Sequence, residues 1–256
     1  MPNVFQPSVC IDAVFESVPE PEAIARVAEA GIPAIEFWAW WEKDLDAILR
    51  STRQHSLAIA ACCTRFVSLT DATKREAYLQ GLSESIEAAK RLDCPTLISQ
   101  VGDALPGIDR SVQRASLIEG LRRAGELLDG TDIKLVIEPL NDRIDHPGYF
   151  LVFSNEAFDI IDAVQHENIQ VVFDLYHQQI SEGHITRRAV ERISDIGHFH
   201  AAGNPGRHDL QVGELNYRNI FADLAGTGYS GYVGLEYWPV GDPMERLHEV
   251  ASWFPF

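Results

Sequence analysis

Eight short apolar runs, each followed by a longer amphipathic stretch, recur along the 256 residues at a spacing of about 32. The apolar runs are PSVCI (7–11), AIEFW (34–38), LAIAAC (57–62), TLISQV (96–101), KLVIE (134–138), IQVVFD (169–174), IGHFHA (196–201) and YVGLEY (232–237). Helical periodicity fills the gaps at 21–31, 43–55, 73–92, 109–129, 154–165, 185–194, 216–225 and 243–254. Within 73–92, Tyr78, Leu82, Ile86 and Ala89 share one face. The segment 21–31 has an early Pro and ends on Gly, the punctuation of a helix. Ser154 or Asn155 is the expected N-cap of the sixth helix. A strand–helix–strand unit takes about 30 residues. Eight of them in one chain predict a closed (β/α)8 TIM barrel, an α/β fold, as a single domain over 1–256. A doubly wound open sheet is the rival. It usually carries a Gly-rich first turn, and no GxGxxG follows the first run here.

Composition narrows the function. With 38 acidic and 21 basic residues the formal charge is −17. That opposes a phosphate-tracking nucleic-acid face and an anionic membrane surface. The opening MPNVFQPSVCIDAVFESVPE has no basic stretch followed by an apolar core, so it does not read as a signal peptide. No run approaches the roughly 18 apolar residues of a membrane span. Cys10, Cys62, Cys63 and Cys94 form no CxxC, and neighbours 62 and 63 fall on opposite faces of a strand. They read as reduced, packed thiols, and a cytoplasmic location is expected.

In a barrel of this kind the chemistry sits at the C-terminal ends of the strands. Glu138, Asp174, His200 and Glu236 close runs five to eight, spaced 36, 26 and 36 residues apart. Any one of them alone is an ordinary strand-end polar residue. Four on successive strands place three carboxylates and an imidazole on one rim. Such a set is costly to bury without a compensating charge. A divalent cation is the simplest compensation, and the oxygen-rich donor set suits Mg2+ or Mn2+ better than zinc. Trp38, Trp40 and Trp41 follow the second strand and are candidate aromatic walls for a substrate, with Trp40 chosen as the contact. Glu36 is a further candidate polar contact near that strand end.

Five segments carry a resemblance. EPLNDRIDHPGYFL (138–151), VFDLYHQQISEGHIT (172–186), HFHAAGNPGRHDLQVGELNY (198–217), GYVGLEYWPVGD (231–242) and EFWAWWEKDLDAI (36–48) resemble, in order and spacing, blocks of the hydroxypyruvate isomerases. These belong to the xylose-isomerase-like barrel superfamily, which also holds ketose 3-epimerases and a DNA-repair endonuclease. The resemblance implies that Glu138 and Glu236 are the acid/base pair. It also implies that Glu138, Asp174, His200 and Glu236 are ligands of a divalent metal. His177 matches a substrate-contacting histidine, and Arg207 lies in the PGR element that meets substrate oxygens. Many hydroxypyruvate isomerases carry Gln where this chain has His200, whereas ketose 3-epimerases carry His; this favours the metal and leaves the substrate open. His208 and Asp209 also depart from the family pattern, and His208 is kept as a substrate-binding candidate.

The expected reaction is a carbonyl shift through an enediol, in which one glutamate removes a proton from the carbon beside a carbonyl and the other returns one. The expected substrate is hydroxypyruvate or a related small 2-oxo or hydroxy acid. The alternatives are a 2-oxo-tetronate isomerase, a ketose 3-epimerase with the same site, and a non-catalytic ligand-binding barrel. A Schiff-base aldolase needs a strand-end lysine. Of Lys43, Lys74, Lys90 and Lys134 only Lys134 lies in an apolar run, at its wrong end. The expected partner is a small molecule, with no nucleic acid and no membrane. Relatives are often dimers or tetramers, so a homo-oligomer is expected.

Overall fold

The computed structural model describes residues 5–254. Residues 1–4, part of the segment read against a signal peptide, and residues 255–256, the end of the expected domain, lie outside them. Eight parallel strands close a barrel in sequence order. They are β1 (Gln6–Cys10), β2 (Ala34–Phe37), β3 (Ala58–Cys63), β4 (Thr96–Ser99), β5 (Lys134–Ile137), β6 (Ile169–Asp174), β7 (Ile196–Ala201) and β8 (Tyr232–Leu235). The α/β barrel expected from the repeat is therefore the fold, and closure of β1 onto β8 rules out the open sheet.

Among the described residues ten helices flank the strands. They are α1 (Ile11–Val14), α2 (Glu20–Glu29), α3 (Leu45–His55), α4 (Arg75–Leu92), α5 (Arg110–Leu128), α6 (Ser154–Val164), α7 (Leu175–Ser181), α8 (Ile185–Glu191), α9 (Tyr217–Ala225) and α10 (Pro243–Ala251). Short α1 and α7 are additions to the eight predicted ones. Helix α7 starts directly on β6, because the Asp174 carboxylate accepts the His177 amide at 2.8 Å and caps it. The expected cap of α6 is not found. Ser154 is the first helical residue, Phe153 occupies the cap position, and Asn155 lies inside the helix. The Ser154 amide donates instead to Gln178 Oε1 at 3.0 Å, and its hydroxyl donates to Glu182. Side chains of α7 and its C-terminal flank thus do the work expected of a local cap.

Strand alternation divides the core in two. Outward residues such as Val9, Ile35, Leu135, Phe173, Phe199 and Leu235 pack under the helices in the main apolar core. Inward residues of β3 to β6 form a small apolar cluster of Ala61, Cys63, Ile98, Val136 and Val172. Ser8, Glu36 and His198, buried residues of β1, β2 and β7, are polar. All four cysteines are free and buried, with Cys62 in the outer core and Cys63 in the inner cluster, as their adjacency predicts. Among the described residues no helix is long and apolar enough to cross a membrane.

Candidate active site

Glu138 and Glu236 are the first residues past β5 and β8, Asp174 is the last of β6, and His200 lies one residue inside the end of β7. His200 is in register with Asp174 on one side and Gly234 on the other. Parallel pairing therefore delivers all four to one place. One ligand atom from each lies within 4.8 Å of the other three. His200 Nδ1 is 2.6 Å from Glu138 Oε1, 3.7 Å from Glu236 Oε2 and 3.9 Å from Asp174 Oδ2. None of the four is more than 6 % exposed.

This crowding sets the charges. Burial raises the Glu138 and Asp174 carboxyls above their ordinary range; His200 opposes the rise and the neighbouring carboxylates add to it. Burial acts on Glu236 in the same sense, but Arg207 and His200 outweigh it and hold this carboxyl low. Burial would depress His200; Glu138, Glu236 and Glu36 together push it well above its usual value instead. The cluster is thus short of positive charge. Four converging ligand atoms, three of them carboxylate oxygens, fit a divalent cation that would supply it.

Above the cluster opens a cavity of about 550 Å³. Glu138 and Glu236 line it together with Trp38, Trp238, Arg207 and Gln100. Phe66, Ser68, Lys74, Asp103, His146 and Tyr149 line it as well. Trp38 Nε1 donates to Glu236 Oε1 at 2.7 Å, and Arg207 donates to Glu236 Oε2. The Arg207 guanidinium lies 5.1 Å from the Trp238 ring and 5.6 Å from that of Tyr176, and its buried Nε has no partner. Its backbone is left-handed, at φ 56°. The loop that carries it is stitched to the segment after β8: Trp238 N donates to Arg207 O at 3.0 Å, His208 Nδ1 meets Trp238 O at 2.9 Å, and Val240 N donates to Asp209 Oδ2 at 2.9 Å.

The structure sorts the predicted substrate contacts. Arg207 lines the cavity. His177 is fully buried, with Nε2 3.8 Å from Asp174 Oδ2, and like His208 it is not among the residues that line the cavity. Its Nδ1 accepts the Asn141 amide at 3.3 Å, and burial first, then Arg207, hold its pKa well below the usual value. The ring is therefore neutral with its proton on Nε2, which has no hydrogen-bond partner. His208 is bonded to the Trp238 carbonyl and does not line the cavity, so its place is in the loop stitching. Trp40 does not line it either. It sits in a 3-10 turn, packs on the outer core, donates to Ser85 Oγ at 3.2 Å and lies under the Arg65 guanidinium. The wall is Trp38, two residues past Glu36 and on the same inward face. Sequence reading placed Glu36 at the rim, whereas it is buried against His198 and His200. Its partner His198, two residues before His200, could have been found by the same alternation.

The family model described as Xylose isomerase-like TIM barrel matches residues 24–255. The chain belongs to this family. Within it the chain is similar to the hydroxypyruvate isomerase of Escherichia coli (strain K12), at 34 % identity over 84 % of this chain and 86 % of that protein. It is also similar to the 2-oxo-tetronate isomerase of Pectobacterium atrosepticum, at 28 % identity over 95 % of each. A crystal structure titled AP endonuclease, family 2, from Brucella melitensis superposes with a TM-score of 0.92 at 31 % identity, over 98 % of this chain and 100 % of that one. By this kinship the chain is an isomerase.

Proposed function

We propose that the chain interconverts hydroxypyruvate, or a related small 2-oxo or hydroxy acid, with its carbonyl-shifted isomer through an enediol. The observation that carries this reading is the unequal pair of glutamates at the cavity floor. Glu236 is held toward its ionised form by Arg207, His200 and Trp38, the state of a base; in the cation-free site burial biases Glu138 toward its acid form. One takes the proton from the carbon beside the carbonyl, and the other returns a proton to the neighbouring carbon. In the reverse direction they exchange roles.

Glu138, Asp174, His200 and Glu236 would hold a divalent cation, Mg2+ or Mn2+ by donor type. When bound, it supplies positive charge that stabilises an enediolate oxygen. The resemblance makes His177 a substrate contact, through the Nε2–H that lacks a hydrogen-bond partner and lies 3.8 Å from Asp174 Oδ2. Arg207, with Nε unpartnered, offers the cation that an acidic substrate needs in a protein of charge −17. Trp38 and Trp238 restrict water at the reacting carbons.

A second reading is favoured by size. A three-carbon acid fills on the order of 100 Å³, about three to four water volumes, whereas the cavity holds about 550 Å³. Four-carbon 2-oxo acids and free ketoses therefore belong in the same assay. A DNA substrate is not favoured, because Lys74 and Arg207 are the lysine and arginine lining this cavity among the described residues. The test is NMR in heavy water with hydroxypyruvate, 2-oxo-tetronates and ketoses. The expected result is an isomer carrying solvent deuterium on carbon. Turnover without exchange points to hydride movement and refutes the glutamate pair; no turnover of any of these compounds refutes the substrate class.

A further inference from the structure

Resting on the cation reading just given, we propose that Glu36 is a positioning residue for the site above it. It holds His200 in the tautomer that turns a bare Nδ1 toward Glu138, Asp174 and Glu236, and so sets the affinity for a divalent cation. The carboxylate is enclosed inside the barrel, 2 % exposed. Its Oε1 faces His200 Nε2 at 3.2 Å, and its Oε2 meets His198 Nε2 at 2.9 Å and accepts Ser8 Oγ–H at 2.7 Å. An imidazole that ligates through Nδ1 must carry its proton on Nε2. His200 Nε2 is buried without an aligned hydrogen-bond partner, and Glu36 Oε1 is the acceptor facing it. The other tautomer would set a lone pair against that carboxylate oxygen.

The slot for Glu36 is built by a different strand. A Cβ on Gly234 of β8 would lie 2.3 Å from Oε1 and 2.6 Å from Oε2, so a side chain there pushes the Glu36 carboxylate from its place. Glu36, His198 and His200 also bring three ligand atoms within 4.8 Å of one another. A second ion there would compete with the donors already on Glu36 and would need His200 to serve two ions at once. The trio is therefore support for one cation.

The experiment uses the full chain stripped by chelation. Mn2+ affinity is read by electron paramagnetic resonance of the free ion for wild type, Glu36→Gln and Gly234→Ala, with circular dichroism and melting of each cation-free protein. One Mn2+ per wild-type chain is expected, with a 10–100-fold weaker affinity in either variant while the fold is kept. Long-range 1H–15N NMR of the Mg2+-loaded wild type should show His200 protonated at Nε2. Unchanged affinity in folded variants, even with a lower melting temperature, makes Glu36 merely structural and overturns the proposal. So do two ions per chain, or a His200 proton on Nδ1 in the loaded protein; the latter decides even when neither variant folds. A wild type that binds neither ion overturns the cation reading itself, and this proposal with it.

Discussion

Replacing Trp38 with Phe keeps an aromatic wall and deletes one N–H. That N–H donates to Glu236 Oε1 at 2.7 Å, on a carboxylate 6 % exposed. A hydrogen bond to a charged group contributes about 1.5–3 kcal/mol, and one pKa unit corresponds to about 1.4 kcal/mol. The donor favours the ionised carboxylate, so removing it raises the Glu236 pKa, by about 1–2 units. Arg207 remains on Oε2 and keeps the group from rising further. With Glu236 as base, the acidic limb of kcat/KM moves up by that amount, and activity returns at higher pH. Loss of wall packing has a different signature, a lower plateau with the limb unmoved. A pH profile of kcat/KM for both proteins separates the two. A limb that stays in place refutes the claim that Trp38 sets the ionisation of Glu236.

Glu138→Gln and Glu236→Gln should each lower kcat by about 10²–10⁴-fold with an unchanged circular dichroism spectrum; near-normal turnover in either removes that residue from proton transfer. His177→Phe deletes the free Nε2–H and should lower kcat/KM by roughly 10–150-fold, the worth of a charge-assisted hydrogen bond, in steady-state kinetics. Gly203→Ala would put a methyl 2.4 Å from the Asp209 carbonyl oxygen and 2.7 Å from that of Val212. It should displace the Arg207 loop and raise KM in steady-state kinetics while the circular dichroism spectrum stays unchanged. Chelation should abolish activity and lower the melting temperature by roughly 5–10 °C, since ligand at about 100 Kd stabilises by about 2.7 kcal/mol and 1 kcal/mol moves a barrel of this size about 2–4 °C. Added Mn2+ should reverse both effects.

The barrel was legible because its repeat is long-range and regular: hydrophobic period, length and punctuation all point to one architecture. The rim quartet was legible for the same reason, since the end of a strand is readable from where its apolar run stops. What was missed depends on side-chain direction and on partners distant in sequence. Trp38 and Trp40 look alike as letters, but two residues of strand period place one over Glu236 and a 3-10 turn sends the other outward. The Ser154 cap failed because Glu182 and Gln178, 28 and 24 residues away, take its bonds. Glu36 was visible only as a strand-end acid. Its meaning comes from His198, 162 residues on, and from a glycine on the strand that closes the barrel.

That glycine has a consequence for how such chains diversify. A methyl group at position 234 displaces the Glu36 carboxylate from its place against His198 and His200, and an apolar residue at 36 strands His198 without its acceptor. The three sites are locked into joint replacement, so lineages should show them either all retained or all exchanged. An alignment in which they vary independently would mean that the barrel floor tolerates rearrangements this geometry forbids.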